Sequence, residues 1–208
     1  MMRFDRAVYP FIAASIAAAV LGGLLSPWLA VPFVGLTAFF LFFFRDPERV
    51  ATATGNVVLS PADGRVLVAG PATPDAAPPG EWLQISIFLS PMNVHVNRVP
   101  VSGRVTKVTY TPGKFLPAYA HDAATANERS EIWIEHQGRF IVARQIVGLL
   151  ARRVVCRLTP GAEVQAGDRY GVMKFGSRMD IFLPTSAEIT VTVGTTVRAV
   201  ESVIAVLH

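Results

Sequence analysis

The chain has 208 residues but only one cysteine, four histidines and 16% charged residues. Each shortage excludes something. A single cysteine cannot close a disulfide within the chain, so no covalent framework holds the fold. Cys156 lies in the apolar run Val154-Val155-Cys156 and reads as a small buried hydrophobe. With so few thiols and imidazoles, no spacing resembles a metal site. Soluble domains carry about 25% charged residues, and the deficit here argues against a disordered chain. The basic residues are scattered, with Arg152-Arg153 the one adjacent pair. That lacks the stripe or cluster of a nucleic-acid binder, so no nucleic acid is expected as a partner.

What is abundant is apolar. Hydrophobic residues make up 51% of the chain, and the mean hydropathy is +0.42. The excess is concentrated: eight of the 13 phenylalanines precede residue 50, and Ala7 to Phe44 is a stretch of 38 residues without a charge. A bilayer core takes about 20 helical residues, so this is nearly two spans. Ser26-Pro27 divides it into Val8–Leu25 and Trp28–Phe44, because proline removes a donor and disfavours helix in the residue before it. Residues 1–49 therefore read as a membrane-associated helical unit, either two short helices joined at Ser26-Pro27 or a re-entrant hairpin. A single span and a cleaved signal peptide are the alternatives; the signal peptide fits less well, since a second apolar run follows the first without a polar break. Arg3 and Arg6 precede the stretch, and Arg45 and Arg49 follow it. Basic flanks on both sides put both ends in the cytoplasm. The net charge of +4 suits an anionic lipid surface beside such a segment, or ordinary solubility charge.

From residue 50 to 208 the texture changes to short Val-, Ile- and Thr-rich runs broken by Gly and Pro. Examples are Trp82–Leu89, Arg104–Thr109, Glu131–Glu135 and Phe140–Val147. Turn signals at this frequency predict a mainly β domain, a sandwich or barrel-sandwich. Thr73–Gly80, with three prolines, is expected as a surface loop, and Pro112–Asn127 as a long loop of functional interest. Two internal echoes suggest duplicated hairpin units. Pro61-Ala-Asp-Gly-Arg-Val66 returns 39 residues later as Pro100-Val-Ser-Gly-Arg-Val105. Thr159–Asp168 returns 33 residues later as Thr192–Glu201, with Thr, Gly, Val, Ala and an acid at matching offsets.

The segment Val172-Met-Lys-Phe-Gly-Ser-Arg-Met-Asp180 holds the most chemistry. Gly176-Ser177 is a small step, expected to be exposed and flexible. In a strained turn the Ser177 hydroxyl can attack the Gly176 carbonyl, an N-to-O acyl shift. Elimination across the resulting ester cuts the chain and leaves dehydroalanine, which hydrolyses to pyruvoyl. By itself Gly-Ser is more often an ordinary turn.

Four motifs change that weighting: Leu59-Ser-Pro-Ala-Asp-Gly-Arg-Val66, Phe88-Leu-Ser-Pro-Met-Asn-Val-His-Val-Asn-Arg-Val-Pro100, Asn127-Glu-Arg129 and Lys174-Phe-Gly-Ser177. In this order and approximate spacing the chain resembles the phosphatidylserine decarboxylase family, specifically its short prokaryotic proenzymes. The resemblance implies cleavage between Gly176 and Ser177 into a β chain of residues 1–176 and an α chain of residues 177–208. It implies a pyruvoyl cofactor made from Ser177, whose ketone forms a Schiff base with the amine of phosphatidylserine and accepts the electrons left by CO₂. Phosphatidylethanolamine is the implied product. The partners are then a phospholipid in the cell membrane and the two cleavage chains as a heterodimer; a homo-oligomer is left open.

His95 is the candidate general acid/base. Asp63 is the candidate to orient it, although a turn aspartate in Pro-Ala-Asp-Gly explains that residue as well. Longer family members carry two histidines in the Ser-Pro…Pro motif; ungapped matching puts His95 and Arg98 at those positions. An intact Asp-His-Ser arrangement is therefore not assured. Asn127 and Arg129 are candidates for the head group, with a strand-edge ion pair as the plainer reading of Arg129. His121 reads as a solvent-facing loop residue, while Phe115, Leu116 and Tyr119 of the same loop are placed to touch acyl chains or to pack on the sheet. An alternative reading is a membrane-tethered carrier domain acylated on Lys174, because Val172-Met-Lys-Phe resembles the tip that carries biotin; it leaves the other three motifs unexplained.

Overall fold

Proline opens both helices of the N-terminal unit, where its missing N–H costs nothing and its fixed φ favours the first turn. The computed structural model describes residues 3–51, 53, 55–120, 122–149, 154–173 and 176–208. Its contacts divide the chain into two units, Met1–Glu48 and Arg49–His208. In the first, strand β1 (Arg3–Phe4) leads through a 3-10 turn (Arg6–Val8) into α1 (Tyr9–Leu25). Ser26 alone separates it from α2 (Pro27–Phe43), which runs into β2 (Arg45–Asp46). β1 and β2 pair antiparallel and close the base of a helical hairpin. The stretch Arg6–Leu25 is long and apolar enough to cross a membrane.

The second unit is mainly β. Its strands are β3 (Val57–Leu59), β4 (Gly64–Pro71), β5 (Leu83–Leu89), β6 (Val96–Arg98), β7 (Gly103–Thr111), β8 (Arg129–His136), β9 (Arg139–Val147) and β10 (Val154–Cys156). They continue as β11 (Glu163–Val164), β12 (Arg169–Met173), β13 (Ser177–Leu183), β14 (Glu188–Ile189), β15 (Thr196–Val197) and β16 (Val203–Val206). Arg49 belongs to this unit, one residue earlier than the change of texture suggests, because its guanidinium is bound there. The largest sheet has the order β11-β7-β8-β9-β13-β5-β4-β15, and the smaller ones β10-β12-β6 and β14-β16-β3. Residues from all three sheets share one apolar core, including Val58, Ile85, Ile134, Tyr170, Ile181 and Ile204. A short helix, α3 (Ala123–Ala126), and a bridge between Lys114 and Asn127 organise the long loop.

The sequence echoes are structural equivalents. β15 lies on β4 with Thr196 opposite Arg65, and β11 lies on β7 with Glu163 opposite Arg104. The turn bonds repeat as well: Val66 N–H donates to Thr195 O at 2.9 Å, as Val105 N–H does to Ala162 O at 2.9 Å. Gly194 N–H returns to Val66 O, and Gly161 N–H returns to Val105 O.

Candidate active site

β12 and β13 are joined through Gly176. Its φ of +68° is in the left-handed region, which side chains with a Cβ seldom adopt. Ser177 is the first residue of β13, opposite Val147 of β9 on one side and Leu89 of β5 on the other. Period-two alternation puts its side chain on the core face with Met179, Ile181 and Leu183. The expected exposed, flexible Gly-Ser step is thus corrected. Ser177 is completely buried, because it is held between two ladders. Its Oγ has no hydrogen-bond partner among the described residues. An orphaned buried hydroxyl costs about 1–3 kcal/mol, and its lone pairs are left free for chemistry.

His95 is also completely buried and immediately precedes β6. A tight turn supports it: the Ser90 backbone N–H and hydroxyl both bond Asn93 Oδ1 at 2.9 Å. The His95 carbonyl accepts from Met173 N–H at 3.2 Å, tying the histidine to the end of β12. On the ring, Nδ1 is 2.9 Å from Asn93 O, and Nε2 is 3.4 Å from the Gly176 N–H. A carbonyl can only accept, so the first contact assigns the proton to Nδ1 and leaves Nε2 as the basic nitrogen. That lone pair sits at the amide of Gly176, one residue from the Ser177 hydroxyl. The structure thereby brings together three of the expected residues, His95, Gly176 and Ser177.

A fourth residue, Gly148, joins them without having been singled out in the sequence. A Cβ built on Gly148 would stand 2.2 Å from Gly176 O and 3.1 Å from its carbonyl carbon. The carbonyl beside the Gly-Ser step therefore rests on a surface that only glycine provides. Above it opens a cleft lined by Phe88, Pro91, Pro117, Ala118, Tyr119 and Leu149, with Gly176 in its wall. Its volume is about 180 Å³, and its lining is almost wholly apolar. Tyr119 stacks edge-on against Phe88, with ring centres 5.9 Å apart. Met92, Tyr119 and Leu149 are strongly exposed on neighbouring loop segments.

The remaining expected residues have other partners. Asp63 does not show the expected role of orienting the imidazole; its oxygens are engaged elsewhere. Arg49 Nη1 and Nη2 approach its two oxygens at 2.7 Å each, and Ala199 N–H donates to Oδ1 at 2.9 Å. It ties the start of the unit to the turn after β15. Asn127 is also not free for a head group. Its Nδ2 donates to Leu116 O and Val147 O at 2.8 Å, and its Oδ1 accepts from Leu116 N–H at 2.9 Å. Both donors are consumed in clamping the cleft loop to the end of β9. Arg129 Nη1 donates to Thr125 O at 2.7 Å and so holds α3. Partial burial, then repulsion from Arg144, pull its guanidinium below the usual arginine range, against the opposing pull of Glu131. His121 and Lys174, the latter carrying the carrier reading, lie outside the described residues.

Sequence reasoning also missed two buried polar groupings. On the core face, Gln145 Nε2 donates to Asn97 Oδ1 at 2.8 Å, while Gln145 Oε1 and Asn97 Nδ2 have no partner among the described residues. On the opposite face, Arg178 Nε donates to Asp180 Oδ1 at 2.6 Å, and Arg178 Nη2 to Ser86 Oγ at 2.9 Å. The signal for the second grouping was present as charges at alternate positions in the otherwise apolar run Arg178-Met-Asp-Ile-Phe182. Among the described residues no group of His, Cys, Asp and Glu is placed to hold a metal.

Comparison with known proteins identifies the family. A family profile described as phosphatidylserine decarboxylase matches residues 36–205. Three relatives bear the name phosphatidylserine decarboxylase proenzyme. That of Nitrosomonas europaea is 42% identical over 96% of this chain and 93% of its own. That of Granulibacter bethesdensis is 44% identical over 96% and 83%. That of Chlorobium chlorochromatii is 47% identical over 85% and 83%. By the match over residues 36–205 and by these relatives, this chain belongs to the phosphatidylserine decarboxylase family.

Proposed function

We propose that the protein converts phosphatidylserine to phosphatidylethanolamine and CO₂, using a pyruvoyl group formed from Ser177 when the chain cuts itself after Gly176. The observation that carries this reading is the unpartnered Ser177 Oγ beside Gly176, whose N–H faces His95 Nε2. Nε2 takes the hydroxyl proton as Oγ adds to the Gly176 carbonyl carbon. As the adduct collapses, Nε2 passes that proton to the Ser177 nitrogen, the C–N bond breaks, and an ester with a free amine remains. Loss of the Ser177 α-proton then expels the Gly176 carboxylate, and hydrolysis of the new N-terminus releases ammonia. Close seating of the carbonyl on Gly148 holds it in place for attack.

A group formed at position 177 fits its surroundings: it stays at the head of β13, beside the apolar cleft. When present, pyruvoyl supplies a conjugated carbonyl as electron sink for decarboxylation. This chain's own residues do the rest. The cleft offers an apolar surface beside the reacting position, and His95 Nε2 is the nearby site from which a proton can be returned. The cleft is smaller than the usual 300–1,000 Å³ of a ligand pocket. It suits the reacting end of a lipid whose chains remain outside, against Met92, Tyr119 and Leu149. Residues 177–208 stay with residues 1–176 through ladders of β13 to β9 and β5, β15 to β4 and β16 to β3. The apolar hairpin and the arginines on both sides of it support a location at the cytoplasmic face of the cell membrane.

Intact mass and a denaturing gel test the reading. The wild-type protein should give two chains, the 32-residue one starting with a ketone. Ser177→Ala should stay full-length and release no CO₂ from phosphatidylserine. If that variant still splits at Gly176, the mechanism is wrong.

A further inference from the structure

Helix length, turn geometry and the placement of charge in the N-terminal unit bear on how it meets a membrane. This inference rests on the membrane reading above and goes beyond it. α1 and α2 have 17 residues each. At 1.5 Å per residue each is about 25 Å long, against a hydrocarbon core of about 30 Å; the first reaches that length only with the 3-10 turn before it, as Arg6–Leu25, and the second does not. A two-span hairpin would need its turn to emerge among the far head groups. This turn is a single residue, Ser26, with no charged residue near it in the sequence. Leu25 and Trp28 beside it are 83% and 82% exposed, and Leu24 is 78% exposed.

Two backbone bonds close the turn. Ser26 N–H donates to Gly22 O at 2.9 Å, and Leu29 N–H donates to Ser26 O at 3.0 Å. Pro27 carries no N–H. Unmet polar groups in lipid cost several kcal/mol each, and these bonds, with the missing donor of Pro27, reduce their number at the turn. Polar side chains farther down are also matched. Thr37 Oγ1 donates to Ser15 Oγ across the helices at 2.8 Å, and Ser15 Oγ bonds Ile12 O at 3.0 Å. All charge lies at the other end, where β1 and β2 pair and Arg3 meets Glu48 at 3.0 Å. Arg45 lies there too, over the Phe42 ring.

The geometry points to a re-entrant hairpin: Met1–Glu48 enters the bilayer from one side, buries its Ser26 tip in the hydrocarbon, and leaves by the same face. The surface it fits is lipid acyl chain at the tip and the polar head-group layer at the base, where Arg3, Arg6 and Arg45 are balanced by Asp5, Asp46 and Glu48.

The test uses the full-length protein with Cys156→Ser and one new thiol, Ser26→Cys. Ser26 makes no side-chain cap bond, so the exchange is mild. Protein is added to sealed vesicles of phosphatidylcholine and phosphatidylglycerol, and floated fractions are treated with a membrane-impermeant maleimide. The reagent is supplied outside, trapped inside, or added with detergent. The expected result is labelling only with detergent, while Glu48→Cys in the same background labels from outside. Labelling of floated protein by the trapped reagent would mean that the hairpin spans, which overturns the inference and leaves the membrane reading standing. Full labelling from outside, or failure to float, overturns both.

Discussion

Gly148→Ala should stall self-cleavage while leaving the fold in place. The added methyl carbon would stand 2.2 Å from Gly176 O, and the other nearest contacts are Gly176 C at 3.1 Å and Ala118 Cβ at 3.2 Å. Real Cβ-to-oxygen contacts begin a little above 3 Å, so the carbonyl must retreat by about 1 Å; a misplacement of that size costs about 100-fold in rate. The equivalent barrier is about 2.7 kcal/mol. Ser177 is held between two strands and cannot follow the carbonyl, so attacking oxygen and carbonyl carbon separate. Pulse-labelled precursor would be followed on a denaturing gel as the 208-residue chain gives way to its products. Gly35→Ala serves as control, because a Cβ there meets nothing within 4 Å. Adding hydroxylamine separates a positional defect from a later one: it cleaves an accumulated ester, and the variant should accumulate none. A half-time within twofold of wild type, in protein with unchanged thermal midpoint, would refute the reasoning.

Two other substitutions probe buried groups, Asp63 and Tyr170. Asp63→Ala should lower stability by about 3–5 kcal/mol, the usual result of stranding one partner of a buried ion pair, here Arg49. Urea unfolding reads that loss, and the folded fraction should still cut itself; a variant with wild-type stability and no cleavage would restore Asp63 to the chemistry. Tyr170 is fully buried, and burial first, then Cys156, hold its hydroxyl well above the ordinary tyrosine range. The unfolded chain therefore loses this proton before the folded one does. Stability is intact below about pH 10 and falls above it by up to about 1.4 kcal/mol per pH unit until the folded group also ionises. Tyr170→Phe should remove that part of the alkaline decline, seen as a flatter plot of thermal midpoint against pH.

The hairpin was readable because 38 uncharged residues admit few other structures, and Ser26-Pro27 marks its turn. The duplicated turns were readable because Gly, Val and Thr recur at offsets that turn geometry demands. β13 was less so. Its first residues looked like a continuation of a turn, and nothing local announces that Ser177 is sandwiched between residues near 89 and 147. Distant pairings decide the site: His95 meets Gly176 across 81 positions, Gly148 supports it from just past the end of β9, and Asp63 finds Arg49 and Ala199. Asn127 illustrates the limit of a motif. Its residues mark the right place, but the side chain is spent on Leu116 and Val147, so its contribution to the cleft is to hold the loop.

The position of β13 inside the eight-stranded sheet has a consequence for the life history of the molecule. On the proposed cleavage before Ser177, the short chain contributes an inner strand, β13, with a neighbour on each side, besides β15 on β4 and β16 on β3. It can leave only by opening all of these ladders, and could re-enter only if the longer chain held a slot apart for β13. The covalent loop that guided its insertion no longer exists, so reassembly becomes a meeting of two molecules at low concentration. The mature protein then persists by the slowness of its unfolding rather than by a reversible balance. Heating it should be a one-way event, whereas the uncut Ser177→Ala chain retains a route home.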